Sequence, residues 1–305
     1  MISTLVRLPG FLLGMFAMYW SLQVGGLLYR VKFLSRKGRN DMYDWGSVLT
    51  DFFRLKLYRC GDKKLHKGPR CLYLCNHRSW CDFFLDMVLA EGRASVLSRG
   101  MVFVVFTLGC LFAWCGNYIQ FFNRSAVKDH EKFNQWLEDM LKQGPLPGIV
   151  VYPEGHRNLK STPLPLRRGI LKFGYSRKIP CQIIMTKNKE SVICEKNLTI
   201  GFGKKLVVGY SDVIDPAEFD DFEIFAKKVQ IVWDNMWATV HAAEISELPP
   251  LEFNELSTYE VPSRNFFALA ASMVLGMVSF FATLYIMSST AYGILGFFFR
   301  FVGLL

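Results

Sequence analysis

Charge is what this sequence has least of. Only 20% of its 305 residues are Asp, Glu, Lys or Arg, against about 25% in a typical soluble domain. The shortage is concentrated in three blocks, 9–29, 101–122 and 266–287, each free of charged residues. Roughly 20 apolar residues suffice to span a bilayer, so the pattern excludes an ordinary cytosolic enzyme. A fully polytopic transporter is excluded as well, because residues 123–265 hold no such block. Acidic residues are missing from positions 1–34, which carry Arg7, Arg30 and Lys32. Metal-site and nucleophile signatures are also missing. None of the eight cysteines forms a C-x-x-C pair, and reduced, buried thiols are the expectation. No Ser or Cys sits in a G-x-S-x-G elbow, so a covalent intermediate is not indicated. No zinc pattern, basic helix or RNA-binding aromatic signature accompanies the net charge of +10, which argues against nucleic acid as partner. A basic middle between apolar ends points instead to anionic lipid headgroups or phosphorylated ligands.

What is present divides the chain into segments. Residues 1–60 read as an N-terminal membrane anchor (9–29) followed by an amphipathic helix at 41–58. Met42, Trp45, Leu49 and Phe52 fall at helical spacing there, suiting a helix on the membrane surface. Arg30, Lys32, Arg36, Lys37 and Arg39 follow the anchor, which puts the downstream chain on the cytosolic side. Residues 61–245 read as a globular domain. Residues 246–264 read as an acidic linker, and 265–305 as a C-terminal membrane segment of one helix or a helical hairpin. The expected setting is an integral membrane protein facing the cytosol, at the endoplasmic reticulum if the cell is eukaryotic.

Within 61–245 the pattern alternates. Strands are expected at 71–75, 117–122, 148–152 and 181–186, and a strand or hairpin at 197–210. Helices are expected at 79–90, 126–142, 167–178 and 217–243. The run 148–152 (GIVVY) is wholly apolar, as in a buried parallel strand. The fold class is therefore α/β, a mostly parallel sheet flanked by helices, with membrane helices at both ends. Block 101–122 is expected not to cross the bilayer, since one crossing there would put residues 77 and 154 on opposite sides.

Three short segments follow three of these strands: Asn76-His77-Arg78-Ser79-Trp80-Cys81-Asp82, Phe121-Phe122-Asn123-Arg124 and Pro153-Glu154-Gly155-His156-Arg157. Ligands bind outside the carboxyl ends of strands in open α/β sheets, so these segments are expected to converge. His77 and Asp82 meet only if His77 lies in the loop and Asp82 in the first helical turn. Ser79-x-x-Asp82 is a capping-box pattern that fits this start. Two readings stay open on local chemistry: Asp82 as a helix cap alone, or as the carboxylate partner of a His77 general base.

N-H-x-x-x-x-D, then an aromatic strand ending in Arg, then P-E-G-x-R in this order resembles the PlsC-type glycerophospholipid acyltransferases, the lysophosphatidic acid acyltransferases. The resemblance spans roughly residues 70–210. Ile179-Pro180-Cys181 is similar to that family's fourth block, and Leu166-Arg167-Arg168-Gly169 to its basic-basic-Gly segment. The resemblance implies His77 as base and Asp82 as its partner. It implies Arg124 and Arg157 as phosphate ligands, with Glu154 and Gly155 forming the acceptor-binding turn. Arg167 and Arg168 are candidate contacts for coenzyme A or phosphate, or members of a solvated helix face. Acyl-CoA would be donor and co-substrate, a lysophospholipid the acceptor and the lipid bilayer a partner, with no cofactor and no metal. Glycerol 3-phosphate or a lysophospholipid with a larger headgroup are alternative acceptors. A non-catalytic lipid-binding protein is an alternative of another class. His156 stands where the family most often has Thr, Asn158 where it often has Ser, and Gly116 lies farther before Arg124 than usual. The first two positions border the proposed acceptor site.

Overall fold

The computed structural model describes residues 41–100, 119–123, 127, 129–143 and 146–252, with scattered positions in 7–18, at 102 and in 274–297. Nine strands appear: β1 (Lys56–Cys60), β2 (Cys71–Cys75), β3 (Ala94–Arg99), β4 (Ile119–Phe122), β5 (Gly148–Val151), β6 (Cys181–Lys187), β7 (Ile193–Cys194), β8 (Thr199–Ile200) and β9 (Lys205–Tyr210). The helices are α1 (Asp41–Phe52), α2 (Asp82–Leu89), α3 (His130–Gln143), α4 (Arg168–Ser176) and α5 (Phe222–Ala242).

Seven strands form one sheet in the order β1-β9-β6-β2-β5-β3-β4. Every pairing is parallel except β6 with β9. The central strands β2 and β5 are buried throughout, as their apolar runs require when helices cover both faces. On one face α1 and α2 pack with Trp45, Phe53, Phe84 and Leu85 in the core. On the other, Leu137, Phe173, Phe225, Val229 and Trp233 bring in α3, α4 and α5. Gly46 lets α1 cross close to α2, because a Cβ there would lie 2.5 Å from the Phe84 carbonyl oxygen. Trp45 beside it meets Phe83 and Phe84 edge-on, at centroid distances of 5.7 and 6.2 Å.

Several expectations change. The helix expected at 41–58 ends at Phe52, and Lys56–Cys60 continues as the sheet's edge strand. The globular unit thus takes in both α1 and β1 rather than starting at residue 61. Of the apolar stripe, Met42, Trp45 and Leu49 lie inside the protein core beside α2, while Phe52 is exposed. The segment 197–210 is split between two sheets, β8 pairing with β7 and β9 with β1 and β6. Strand β3 was not expected at all. Among the described residues no helix is long and apolar enough to cross a membrane. The blocks 9–29, 101–122 and 266–287 lie mostly outside those residues. From the first, Phe11 is buried and its ring stands 5.7 Å from that of Trp80.

Candidate active site

The strands β2 and β5 are parallel neighbours, so the loops after them leave the sheet together. Asn76 closes β2 and ties it to β6: its amide donates to the Thr186 carbonyl at 2.8 Å and accepts from the Thr186 N–H at 3.0 Å. His77 follows in the loop, and Asp82 opens α2. The His77 Nδ1 to Asp82 Oδ2 distance is 2.7 Å. The same carboxylate oxygen accepts from the backbone N–H groups of Arg78 at 2.6 Å and Ser79 at 3.0 Å. Ser79 Oγ accepts from the Cys81 N–H at 3.1 Å. The oxygen that meets His77 thus also ties down the loop before α2, whose N-cap, Cys81, has no side-chain cap bond.

Asp82 is buried and charged. Burial pushes its carboxyl up, but the Lys189 ammonium, His77 and the loop N–H groups outweigh that and hold it below its ordinary value. An ionised Asp82 accepts only, so His77 Nδ1 must carry the proton of that bond. Nε2 is left to accept a proton from a substrate. The side chain of His77 is 25% exposed, and Tyr152 stacks on its ring at 4.3 Å.

Glu154 is fully buried. It accepts from the His77 backbone N–H at 2.9 Å and from the Asn158 amide at 2.9 Å. Burial raises its carboxyl above the ordinary value although both donors oppose the shift. Its carboxylate is turned toward the His77 loop rather than toward solvent. Gly155 closes the turn at φ +77°, a conformation that favours glycine. The Gly155 carbonyl accepts from Arg99 Nη2 at 2.6 Å. Asn158, buried beside it, donates its backbone N–H to the His77 carbonyl at 2.7 Å. Arg78 clamps the two loops. It forks onto Glu190 at 2.6 and 3.1 Å and donates to the carbonyls of Asn158 at 2.5 Å and Lys160 at 2.9 Å.

The basic candidates divide. Arg157 pairs with Glu195 in the turn after β7, with its side chain 30% exposed. Arg168 pairs with Glu223 on α5 and lies over the Phe222 ring. Arg167 is exposed, and its backbone N–H donates to the Pro153 carbonyl at 2.7 Å. Arg124 lies outside the described residues. His156 is exposed. Among the described residues, no three of His, Cys, Asp and Glu are grouped to hold a metal.

Sequence reasoning gave no role to Asn76, Arg78, Tyr152 or Lys189. Asn76 and Arg78 lie within the first motif and Tyr152 beside the third, and their position at strand ends was the available signal. Lys189 sits in the polar run Lys187-Asn188-Lys189-Glu190-Ser191, where nothing distinguishes a buried lysine from a solvated one.

A histidine–carboxylate pair at the strand ends of a mainly parallel sheet is an arrangement suited to proton transfer. Residues 58–184 match the model of the acyltransferase family. No curated protein matches the chain. Among solved structures, it is similar to the 1-acyl-sn-glycerophosphate (LPA) acyltransferase PlsC from Thermotoga maritima, at 18% identity and a TM-score of 0.62. That match covers 80% of this chain and 98% of the other. Residues 58–184 thus form an acyltransferase domain, which makes the chain an enzyme that transfers acyl groups, and its fold is shared with a PlsC acyltransferase.

Proposed function

We propose that this glycerolipid acyltransferase moves a fatty acyl group from acyl-CoA to the free hydroxyl of lysophosphatidic acid, yielding phosphatidic acid. The observation that carries the reading is the 2.7 Å contact of His77 Nδ1 with Asp82 Oδ2. His77 Nε2 takes the acceptor hydroxyl proton while Asp82 supports the resulting imidazolium. The acceptor oxygen attacks the thioester carbonyl carbon and forms the new C–O bond. The C–S bond then breaks, and the coenzyme A thiolate leaves and recovers the proton from His77. A thiolate is a good leaving group, so the reading calls for no metal or cofactor.

Arg157, by resemblance with Arg124, binds the acceptor phosphate. A guanidinium fork matches phosphate oxygens in a bidentate way, and Arg157 needs only to exchange Glu195 for the ligand. Glu154 and Gly155 shape the turn that supports both the His77 loop and the acceptor. Arg167 and Arg168 lie on the flank available to coenzyme A phosphates. The apolar ends anchor the enzyme in a membrane with the site on the cytosolic side, in the endoplasmic reticulum of a eukaryotic cell, where donor and product partition. An acceptor with a larger headgroup is the second reading. It is favoured by the exposed His156 where the family most often has Thr.

The test is a product assay on the purified full-length protein with radiolabelled acyl-CoA. The acceptor panel comprises lysophosphatidic acid, glycerol 3-phosphate and lysophospholipids with larger headgroups. Labelled phosphatidic acid as the dominant product supports the reading. Preferential labelling of another acceptor replaces it with that one. Absence of any transfer by folded protein overturns it.

A further inference from the structure

A second set of charges lies behind the dyad. Lys189 opens the short turn after β6 and is fully buried. Its ammonium donates to both oxygens of Asp86, at 2.6 and 2.9 Å, and to the carbonyl of Asn76 at 3.0 Å. Asn76 immediately precedes His77. Asp86 follows Asp82 by one turn of α2, so the two carboxylates share a helix face. The Lys189 ammonium stands 3.7 Å from Asp82 Oδ1. That oxygen is buried and has no hydrogen-bond partner of its own.

The other titratable groups nearby are spoken for. Burial pushes the thiols of Cys75 and Cys81 and the Tyr152 phenol well up, so all three are neutral near pH 7. Arg78 is paired with Glu190, and Glu154 with the His77 N–H and Asn158. That leaves two buried carboxylates and one buried ammonium. A buried charge is tolerated only when paired and hydrogen-bonded. Between Asp82 and Asp86 the ammonium balances one negative charge, and a proton on His77 balances the other.

We propose that Lys189 is a positioning residue for acyl transfer, holding Asp82 as a carboxylate and, through the Asn76 carbonyl, fixing the loop that presents His77. The dyad is then assembled before substrate arrives. Asp86 serves to retain the ammonium in the core. This rests on the reading of His77 as the base, and it gives a polar function to a site where an apolar side chain would serve packing alone.

The experiment uses the full-length protein in detergent micelles with three variants: Lys189→Met, Asp86→Asn and the pair Lys189→Met/Asp86→Leu. The paired variant removes both charges together, a change that buried ion pairs often tolerate, and it decides the matter if Lys189→Met does not fold. The first readout is steady-state kinetics. In Lys189→Met and in the paired variant, kcat is expected to fall by about tenfold or more, part of the roughly 10²–10⁴-fold a positioned base provides. KM for both substrates should stay within about twofold. The acid limb of the kcat/KM profile should move to higher pH in Lys189→Met and to lower pH in Asp86→Asn, because one removes a positive and the other a negative charge beside the dyad.

The second readout is the downfield proton resonance of the His77–Asp82 hydrogen bond, assigned by its loss in His77→Gln. It should broaden or vanish without Lys189, whether or not His77 is the base. Activity surviving in His77→Ala would overturn the base reading, while this resonance would still report whether Lys189 orders the dyad. A folded paired variant with wild-type kcat and the resonance in place would overturn the proposal. Activity losses that follow the melting temperature alone, with the limb unmoved, would overturn it too.

Discussion

The loops after β2 and β5 leave the same edge of the sheet side by side, yet they are held in different ways. In the first, Asn76, Arg78, Ser79 and Asp82 are all buried, and of their side-chain polar atoms all but Asp82 Oδ1 hydrogen-bond to protein. In the second, Tyr152 stacks on the His77 ring, and Glu154 and Asn158 turn inward to hydrogen-bond the first loop. His156 and Arg157 stay toward the surface, with Arg157 on an ion pair that a ligand could displace. Under the proposed function the contrast separates two tasks. A base must be fixed to fractions of an ångström before substrate arrives, and buried, satisfied polar groups do that. Headgroup recognition needs donors that can change partner, and partly exposed ion pairs, worth little in themselves, provide them.

The largest effect that sharpens this contrast is expected from Asp82→Asn. The amide cannot hold the His77 tautomer as the carboxylate does, and kcat should drop by about 10²–10⁴-fold in steady-state assays. The same variant has a pH signature in stability. The Asp82 carboxyl is held below its ordinary value in the folded state. Its contribution is therefore present above the ordinary aspartate range, near pH ~4, and is lost as pH falls through the lowered folded value. Denaturant unfolding should show the wild-type advantage over Asp82→Asn at neutral pH and its decline in acid.

Next in size is Arg78→Ala, which breaks the clamp between the loops. It strands Glu190 and the carbonyls of Asn158 and Lys160, and breaking one side of a buried ion pair costs about 3–5 kcal/mol. Thermal unfolding should report that loss. A smaller effect is expected from Arg157→Ala: acceptor KM should rise about tenfold, the loss of one charge-assisted hydrogen bond. The acyl-CoA KM should be left nearly unchanged. Equal effects on both substrates with a lower melting temperature would make Arg157 a structural ion pair. The smallest is His156→Ala, with turnover expected within about twofold of wild type. A His156→Ala variant as inactive as Asp82→Asn would dissolve the contrast between the loops.

Much of the first loop was legible from spacing. A five-residue gap from His77 to Asp82 admits a contact only across a helix start, and the helix begins at Asp82. The helix at 217–243 and the strand at 71–75 announced themselves by period and by apolar run. Legibility failed where the determining contact is distant in sequence. Lys56–Cys60 becomes a strand because β9 pairs with it, a partner about 150 positions away that no local pattern reveals. Strand β3 lies between α2 and an apolar block and looks like neither boundary. Glu154 reads as an exposed acid until its bond to the His77 N–H is seen. Lys189 is the extreme case, a lysine made structural by carboxylates over 100 positions earlier. The His77–Asp82 contact and the Gly155 turn were readable in the motifs, while the scaffold that orients them was not.

The central claim, that His77 deprotonates the acceptor, is tested most directly by single-turnover acyl transfer. Wild type and folded His77→Ala would be mixed rapidly with labelled acyl-CoA at saturating lysophosphatidic acid, so that neither acceptor binding nor product release limits the rate. The account predicts a rate lower by about 10²–10⁴-fold in the variant. A single-turnover rate for His77→Ala equal to that of the wild type would contradict it.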